Sequence, residues 1–252
     1  PTEQHGTLSA PAAGNNGCVG CISHPAAAES ALAVGAVDKS DVLAGFSSRG
    51  PMPETSAVKP DVTAPGVGIV AARASGTSFG FPVDNDRYGM ADGTSMASPH
   101  VAGAAALLLQ SEPTLRPADL KPWLMNTADP HPDTTVYEQG AGRIDIETAL
   151  ATEVHAAPGS LSFGYYPWPH DGRDPDVRTV TYRNLGDADV VLDLSVDVAA
   201  GNGAAPPPGT LTTAAPTVTV PAGGTASVDV VLDTASGTPG LYGGSVVAQA
   251  AD

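Results

Sequence analysis

Positive charge is what this chain has least of. Eleven Lys and Arg stand against 27 Asp and Glu in 252 residues, a formal net charge of −16 at pH 7. That balance argues against a nucleic-acid or anionic-membrane partner, since both require a basic face. Aromatic residues are scarce at 5%, and charged residues reach only 15%. Long apolar runs are missing as well. The longest lies within Val101–Leu109, far short of the roughly 20 residues that span a bilayer as a helix. Pro1-Thr2-Glu3-Gln4-His5 carries neither an initiating Met nor the basic and apolar regions of a signal peptide, the start expected of a mature secreted chain or of an internal piece.

What remains is apolar enough to pack. Hydrophobic residues make up 42%, and Ala, Val and Leu recur throughout instead of giving way to charge runs, which argues against disorder. Residues 1–153 alternate short β-type runs with helical stretches, the pattern of an α/β domain. Leu32–Val37 reads as a buried strand, followed by strands at Asp61–Ala64 and Gly68–Ala72. Ala97–Gln110 is rich in Ala and Leu and has no charged residue, so a helix buried on nearly every side is expected. Pro99 fits only the first turn of that helix, which puts its start near Ser95 or Met96. Gly103, costly inside a helix, implies close backbone packing. Further helices are expected over Pro117–Thr127, kinked at Pro122, and after Gly140–Arg143.

From residue 154 to 252 the helical period disappears. Val177–Tyr182, Val190–Val196, Thr217–Val220, Ser227–Leu232 and Ser245–Val247 are β-rich runs divided by Gly, Pro and Asp clusters. Short strands at this spacing predict an antiparallel β-sandwich of the immunoglobulin or fibronectin type. Five strands against the usual seven or so, with Asp252 close behind the last, suggest a truncated sandwich.

The chemistry concentrates in Gly93-Thr94-Ser95-Met96-Ala97-Ser98-Pro99-His100-Val101-Ala102-Gly103. A serine at a turn entering a helix sits among unpaired N–H donors, where the helix dipole favours a developing oxyanion. A plain N-cap serine occupies the same position. The wording of the whole segment decides between them: it resembles the nucleophile motif of the subtilisin-like serine peptidases, the subtilases. Ala12-Ala13-Gly14-Asn15 is similar to that family's oxyanion loop. Val34–Val37, Phe46-Ser47-Ser48-Arg49-Gly50-Pro51 and Ala64-Pro65-Gly66 resemble the stretch that links the two. The resemblance implies an endopeptidase with a subtilisin-like parallel-sheet domain, Ser95 as nucleophile and the Asn15 side chain as an oxyanion donor. It also implies a polypeptide substrate bound by Ala13, Gly14, Ser23 and Thr94, with Ser23–Ala28 forming one wall of the pocket, no cofactor for the chemistry, and an extracellular setting. That setting makes a Cys18–Cys21 disulfide the expected state of this CxxC pair. Its four-residue ring would add little stability. Subtilases often bind structural calcium, for which Asp84-Asn85-Asp86 is a candidate cluster; a solvated turn is its simpler reading.

A serine nucleophile needs a base, and the base needs an orienting carboxylate. The family's order is Asp, His, Ser, yet only fourteen residues precede Asn15. His5-Gly6-Thr7 matches the family's His motif superficially, but ten residues are too few between that His and the oxyanion loop. His100 lies five residues past Ser95, about 140° round a helix, and is expected to be a buried structural histidine. His24, His131, His155 and His170 match no motif, and Asp233 reads as a strand end. The expectation is therefore a fragment of a secreted subtilase without its Asp and His, inactive alone, with an N-terminal chain segment as the partner that supplies them. A noncatalytic scaffold that kept the fold and lost the triad is the alternative.

Overall fold

The computed structural model describes residues 6–84, 87–170 and 172–251. Contacts divide the chain into two units, one of Pro1–Glu54 with Val58–Leu150 and one of Thr55–Ala57 with Ala151–Asp252.

The first unit opens with β1 (Val34–Val37) and β2 (Val62–Pro65), paired in parallel with Val34 opposite Val62. Every residue of β1 is buried, which is why the run VGAV shows no polar alternation. Residues 11–13 run beside β1: Val34 N–H donates to the Pro11 carbonyl at 2.9 Å and Ala13 N–H to the Val34 carbonyl at 2.8 Å. Residues 11–13 thus follow the sheet without becoming a regular strand, since Pro11 has no N–H to give.

Next come β3 (Ile69–Ala72), β4 (Phe81–Val83) and β5 (Tyr88–Ala91), an antiparallel sheet in the order β3-β5-β4. The third buried strand expected from the sequence is therefore corrected: Val70, Ala71 and Ala72 are exposed. A strand in an antiparallel sheet can leave one face in water, whereas β1 and β2 have both faces covered.

Helix α1 (Thr94–Ser111) packs Ala97, Val101, Ala104, Ala105 and Leu108 against β1 and β2, together with Leu120, Trp123, Leu124 and Met125 of α2 (Pro117–Asn126). Four expectations for α1 fail. It starts at Thr94, so Pro99 falls in its second turn. It is not buried all round: Ala102, Ala106, Leu107 and Leu109 are exposed. Nothing lies within 4 Å of where a Gly103 side chain would begin, and His100 faces solvent. Small apolar residues on every side give a helix no marked face, so composition could not show which side is covered. Helices α3 (Val136–Gln139) and α4 (Ile146–Ala151) complete the unit. The first was missed, although Thr135 and Glu138 form the capping box that announces it.

The second unit holds β6 (Val154–Ala157), β7 (Asp176–Asn184), β8 (Val190–Ala200), β9 (Leu211–Thr213), β10 (Thr217–Val220), β11 (Thr225–Leu232) and β12 (Tyr242–Ala250). Two antiparallel sheets, β6-β7-β11-β9 and β10-β8-β12, enclose one core of Val180, Tyr182, Leu192, Leu194, Val220, Val228 and Val230. The five strands read from the sequence become seven; β6 and β9 escape notice because runs of four and three residues give almost no period to read. Asp233 follows β11 and caps a 3-10 turn over Thr234–Ser236, accepting from Ala235 N–H at 2.9 Å.

Candidate active site

The site is assembled where the loop after residues 11–13 meets the start of α1. Asn15 is oriented by Thr94. The Thr94 backbone N–H and hydroxyl both donate to Asn15 Oδ1, at 2.9 and 2.8 Å. A backbone N–H only donates, so the atom facing it must be the amide oxygen, and Nδ2 is left pointing the other way. Thr94, fully buried, also accepts from Gly14 N–H at 3.2 Å. Its hydroxyl is thereby spent on holding the loop to the helix.

The first turn of α1 supplies the second donor. Four N–H groups of a helix N-terminus lack intrahelical partners. Here Thr94 N–H bonds Asn15, and those of Met96 and Ala97 bond the Gly93 carbonyl at 2.9 and 3.4 Å. The Ser95 N–H is bonded to nothing among the described residues. Gly93 then creates the space these donors share. A Cβ on Gly93 would lie 3.3 Å from Asn15 Nδ2 and 3.7 Å from Ser95 N, with Met96 Sδ at 3.5 Å. Its φ of +151° also suits glycine. Two donors border a vacant volume the size of a small group, beside an exposed serine.

The loop beyond Asn15 is latched to residues 45–49. Asn16 N–H donates to Ser48 Oγ at 3.2 Å, Ser48 N–H to the Gly14 carbonyl at 3.0 Å, and Gly17 N–H to the Phe46 carbonyl at 2.8 Å. Ser48, fully buried, is a site residue that the sequence reading passed over; its place in the Phe46–Pro51 motif was the available signal. Ser23 N–H donates to the Ala13 carbonyl at 2.8 Å, and Ser23 Oγ sits where a Gly14 side chain would be. Ala13, Gly14, Ser23 and Thr94 are thus brought together around Asn15. Cys18 and Cys21 are joined as a disulfide with Cα atoms 5.7 Å apart. Arg49 N–H donates to the Cys18 carbonyl at 3.0 Å.

No side chain hydrogen-bonds Ser95 Oγ among the described residues. His100 Nδ1 instead lies 2.9 Å from the Met96 carbonyl oxygen, a contact in which only the ring can donate. This corrects the buried histidine expected there: the ring lies at the surface and reaches back one turn to the Met96 carbonyl. His5 lies outside the described residues. So do Asn85 and Asp86 of the calcium candidate, leaving Asp84 in a turn. Among the described residues no three acidic, His or Cys side chains gather as a metal site, and no helix is long and apolar enough to cross a membrane.

An exposed serine at a helix N-terminus, its own N–H and the oriented Asn15 amide are thus brought to one place, the kinds of group that acyl transfer uses. The chain belongs to the subtilase family, whose model (Peptidase_S8) matches residues 1–142; its members are serine peptidases. The chain is 34% identical over 212 residues to the minor extracellular protease Vpr of Bacillus subtilis (strain 168), covering 81% of this chain and 25% of Vpr. It is 40% identical over 147 residues to subtilisin DY of Bacillus licheniformis, covering 57% of this chain and 47% of that protein. Among solved structures, the self-cleaved protease domain of PatA is 32% identical with a TM-score of 0.47, covering 59% of this chain and 50% of that one. The chain therefore spans a quarter of Vpr and just under half of subtilisin DY.

Proposed function

We propose that the first unit is the nucleophile-bearing part of a serine endopeptidase acting on polypeptides. Ser95 Oγ attacks the carbonyl carbon of the scissile peptide and gives its proton to a histidine. Asn15 Nδ2 and the Ser95 N–H hold the oxyanion as it forms. The C–N bond breaks as the histidine returns the proton to the leaving amine, and water hydrolyses the remaining ester by the same route. The substrate's acyl side lies against Ala13, Gly14 and the wall Ser23–Ala28. The observation that carries this reading is the unbonded Ser95 N–H, which borders the Gly93 space together with the Asn15 amide.

The histidine and its orienting aspartate come, in this proposal, from a polypeptide segment outside these 252 residues. Two features support that reading. Ser95 Oγ has no hydrogen-bond partner among the described residues, and α1 turns an outer face of Ala102, Gly103, Ala106 and Leu107 to solvent. The chain alone then has the donors without the base and is inactive as a peptidase. The second unit is an accessory sandwich of the immunoglobulin or fibronectin type, and the protein acts outside the cell. The likeness to the extracellular protease Vpr and the Cys18–Cys21 disulfide support the extracellular setting, since such bonds persist in oxidising compartments.

The test is reconstitution. The reading frame upstream of this chain should encode an Asp motif and a His-Gly-Thr motif. Adding that segment should switch on peptide hydrolysis that Ser95→Ala abolishes. Absence of both motifs from nearby frames would favour the scaffold reading.

A further inference from the structure

The substrate wall is neither helix nor strand. Residues 24–31 are a series of turns, so their shape must be set by what holds their carbonyls. Two ammonium groups do this. Lys59 Nζ donates to the carbonyls of Ala28 and Ala31 at 3.2 and 2.9 Å and to Asp61 Oδ2 at 2.6 Å. Lys121 Nζ, from α2, donates to the carbonyls of Glu29 and Ala31 at 2.7 and 2.9 Å and pairs with Asp61 Oδ1 at 3.1 Å. Asp61 Oδ2 also accepts from Ala33 N–H at 2.6 Å, which ties the end of the wall to the sheet.

Burial makes this arrangement directional. Lys59 and Asp61 are only 3% and 2% exposed. Two ammonium groups meet one carboxylate, so the cluster carries an extra positive charge that the three loop carbonyls help offset. A lone buried ammonium is costly, and each carbonyl turned inward lowers that cost. The charge therefore draws the loop into one conformation instead of merely tolerating it. Burial also pushes the Lys59 pKa below its usual value, against the Asp61 charge that raises it.

We propose that Lys59 is a positioning residue for substrate binding: its ammonium fixes the Ala28 carbonyl at the end of the Ser23–Ala28 wall and, with Lys121 as second holder, the turn at 29–31 from which the wall is anchored. This rests on the reading of that segment as the substrate wall of a peptidase. It concerns affinity for the acyl side of a peptide, not the chemistry at Ser95.

The experiment compares wild type, Lys59→Met and Lys121→Met in the full-length protein that includes the upstream segment. Peptide hydrolysis and the rate at which a small fluorophosphonate labels Ser95 are both measured. The probe needs the nucleophile, its base and the oxyanion donors but not the wall. Lys59→Met should raise KM about five-fold or more while kcat and the labelling rate change less than about two-fold. Lys121→Met, whose side chain is 18% exposed, leaves Lys59 on its carbonyls and should raise KM about two-fold. An unchanged KM in folded Lys59→Met overturns the proposal. So does a fall in labelling that matches the loss of hydrolysis, which marks a general structural role. If Lys59→Met does not fold, an unchanged KM in Lys121→Met overturns it. Wild type that neither labels nor cleaves contradicts the peptidase reading instead.

Discussion

Single atoms decide the chemistry at this site. The missing side chain of Gly93 leaves the volume bordered by Asn15 Nδ2 and Ser95 N, and a methyl group there would come within 3.3 Å of the amide. Gly93→Ala should therefore lower fluorophosphonate labelling of Ser95 in the reconstituted enzyme at least tenfold, about 1.4 kcal/mol of transition-state stabilisation. Its effect should exceed that of Gly103→Ala, made ten residues further along the same helix. Asn15→Ala removes one oxyanion donor, a change that costs about 2.7–4 kcal/mol in the subtilisins themselves, the system from which that figure comes. A second residue-scale effect lies in the β-rich unit. Burial, the main cause, holds the His155 pKa down at about 4, whereas an unfolded chain takes up that proton near pH 6.5. Between about pH 4 and 6.5 the unfolded state binds more protons than the folded one, so stability rises with pH across that window. Acidification from pH 7 to 4 should therefore lower stability through this residue. Urea melts across that range, followed by NMR titration of the His155 ring, check the sign, and His155→Gln should flatten the profile.

At the scale of elements, α1 has two faces with different expectations. Its inner face packs Val101 and Leu108 into the core; its outer face leaves open space at Gly103. In the chain alone, Gly103→Ala should stabilise by about 0.5–1 kcal/mol from helix propensity, read as a higher melting temperature. Gly103→Leu should be tolerated by the chain alone yet block activation by the upstream segment, because the added side chain fills the surface that the segment covers. Full activation of Gly103→Leu would contradict that use of the face. The sequence made some elements plain and hid others for physical reasons. β1, β2, β10 and both long helices were legible because the buried VGAV run, the alternating TVTV run and the proline- and glycine-bearing stops mark their elements. That Ser95 and Asn15 would come together was legible because both lie in specific motifs; their meeting at the start of α1 is what the Thr94 hydrogen bonds to Asn15 show. The sidedness of α1 was not legible, since Ala and Leu on every side give no period. Nor was the Lys59–Asp61–Lys121 cluster: Lys59 and Lys121 stand 62 positions apart in the numbering, and a lysine in sequence reads as surface until folding buries it.

For the whole molecule, the scarcity of positive charge takes on a more specific meaning. Four of the 11 basic residues, Arg49, Lys59, Lys121 and Arg143, are ion-paired within the first unit. Much of the −16 charge is therefore left to the surface, where it favours solubility and works against anionic partners. In the proposed function the first unit supplies a nucleophile, two donors and a substrate wall, and another segment supplies the base. The central claim is that Ser95 is a competent nucleophile waiting for that base. The most direct measurement is the rate at which a fluorophosphonate labels Ser95 in the 252-residue chain, before and after addition of the upstream segment carrying the Asp and His motifs. The account predicts slow labelling alone and an increase of at least about a hundredfold on addition, the lower range of general-base assistance, lost in Ser95→Ala. Rapid labelling of the chain alone, or none with the segment bound, would contradict it.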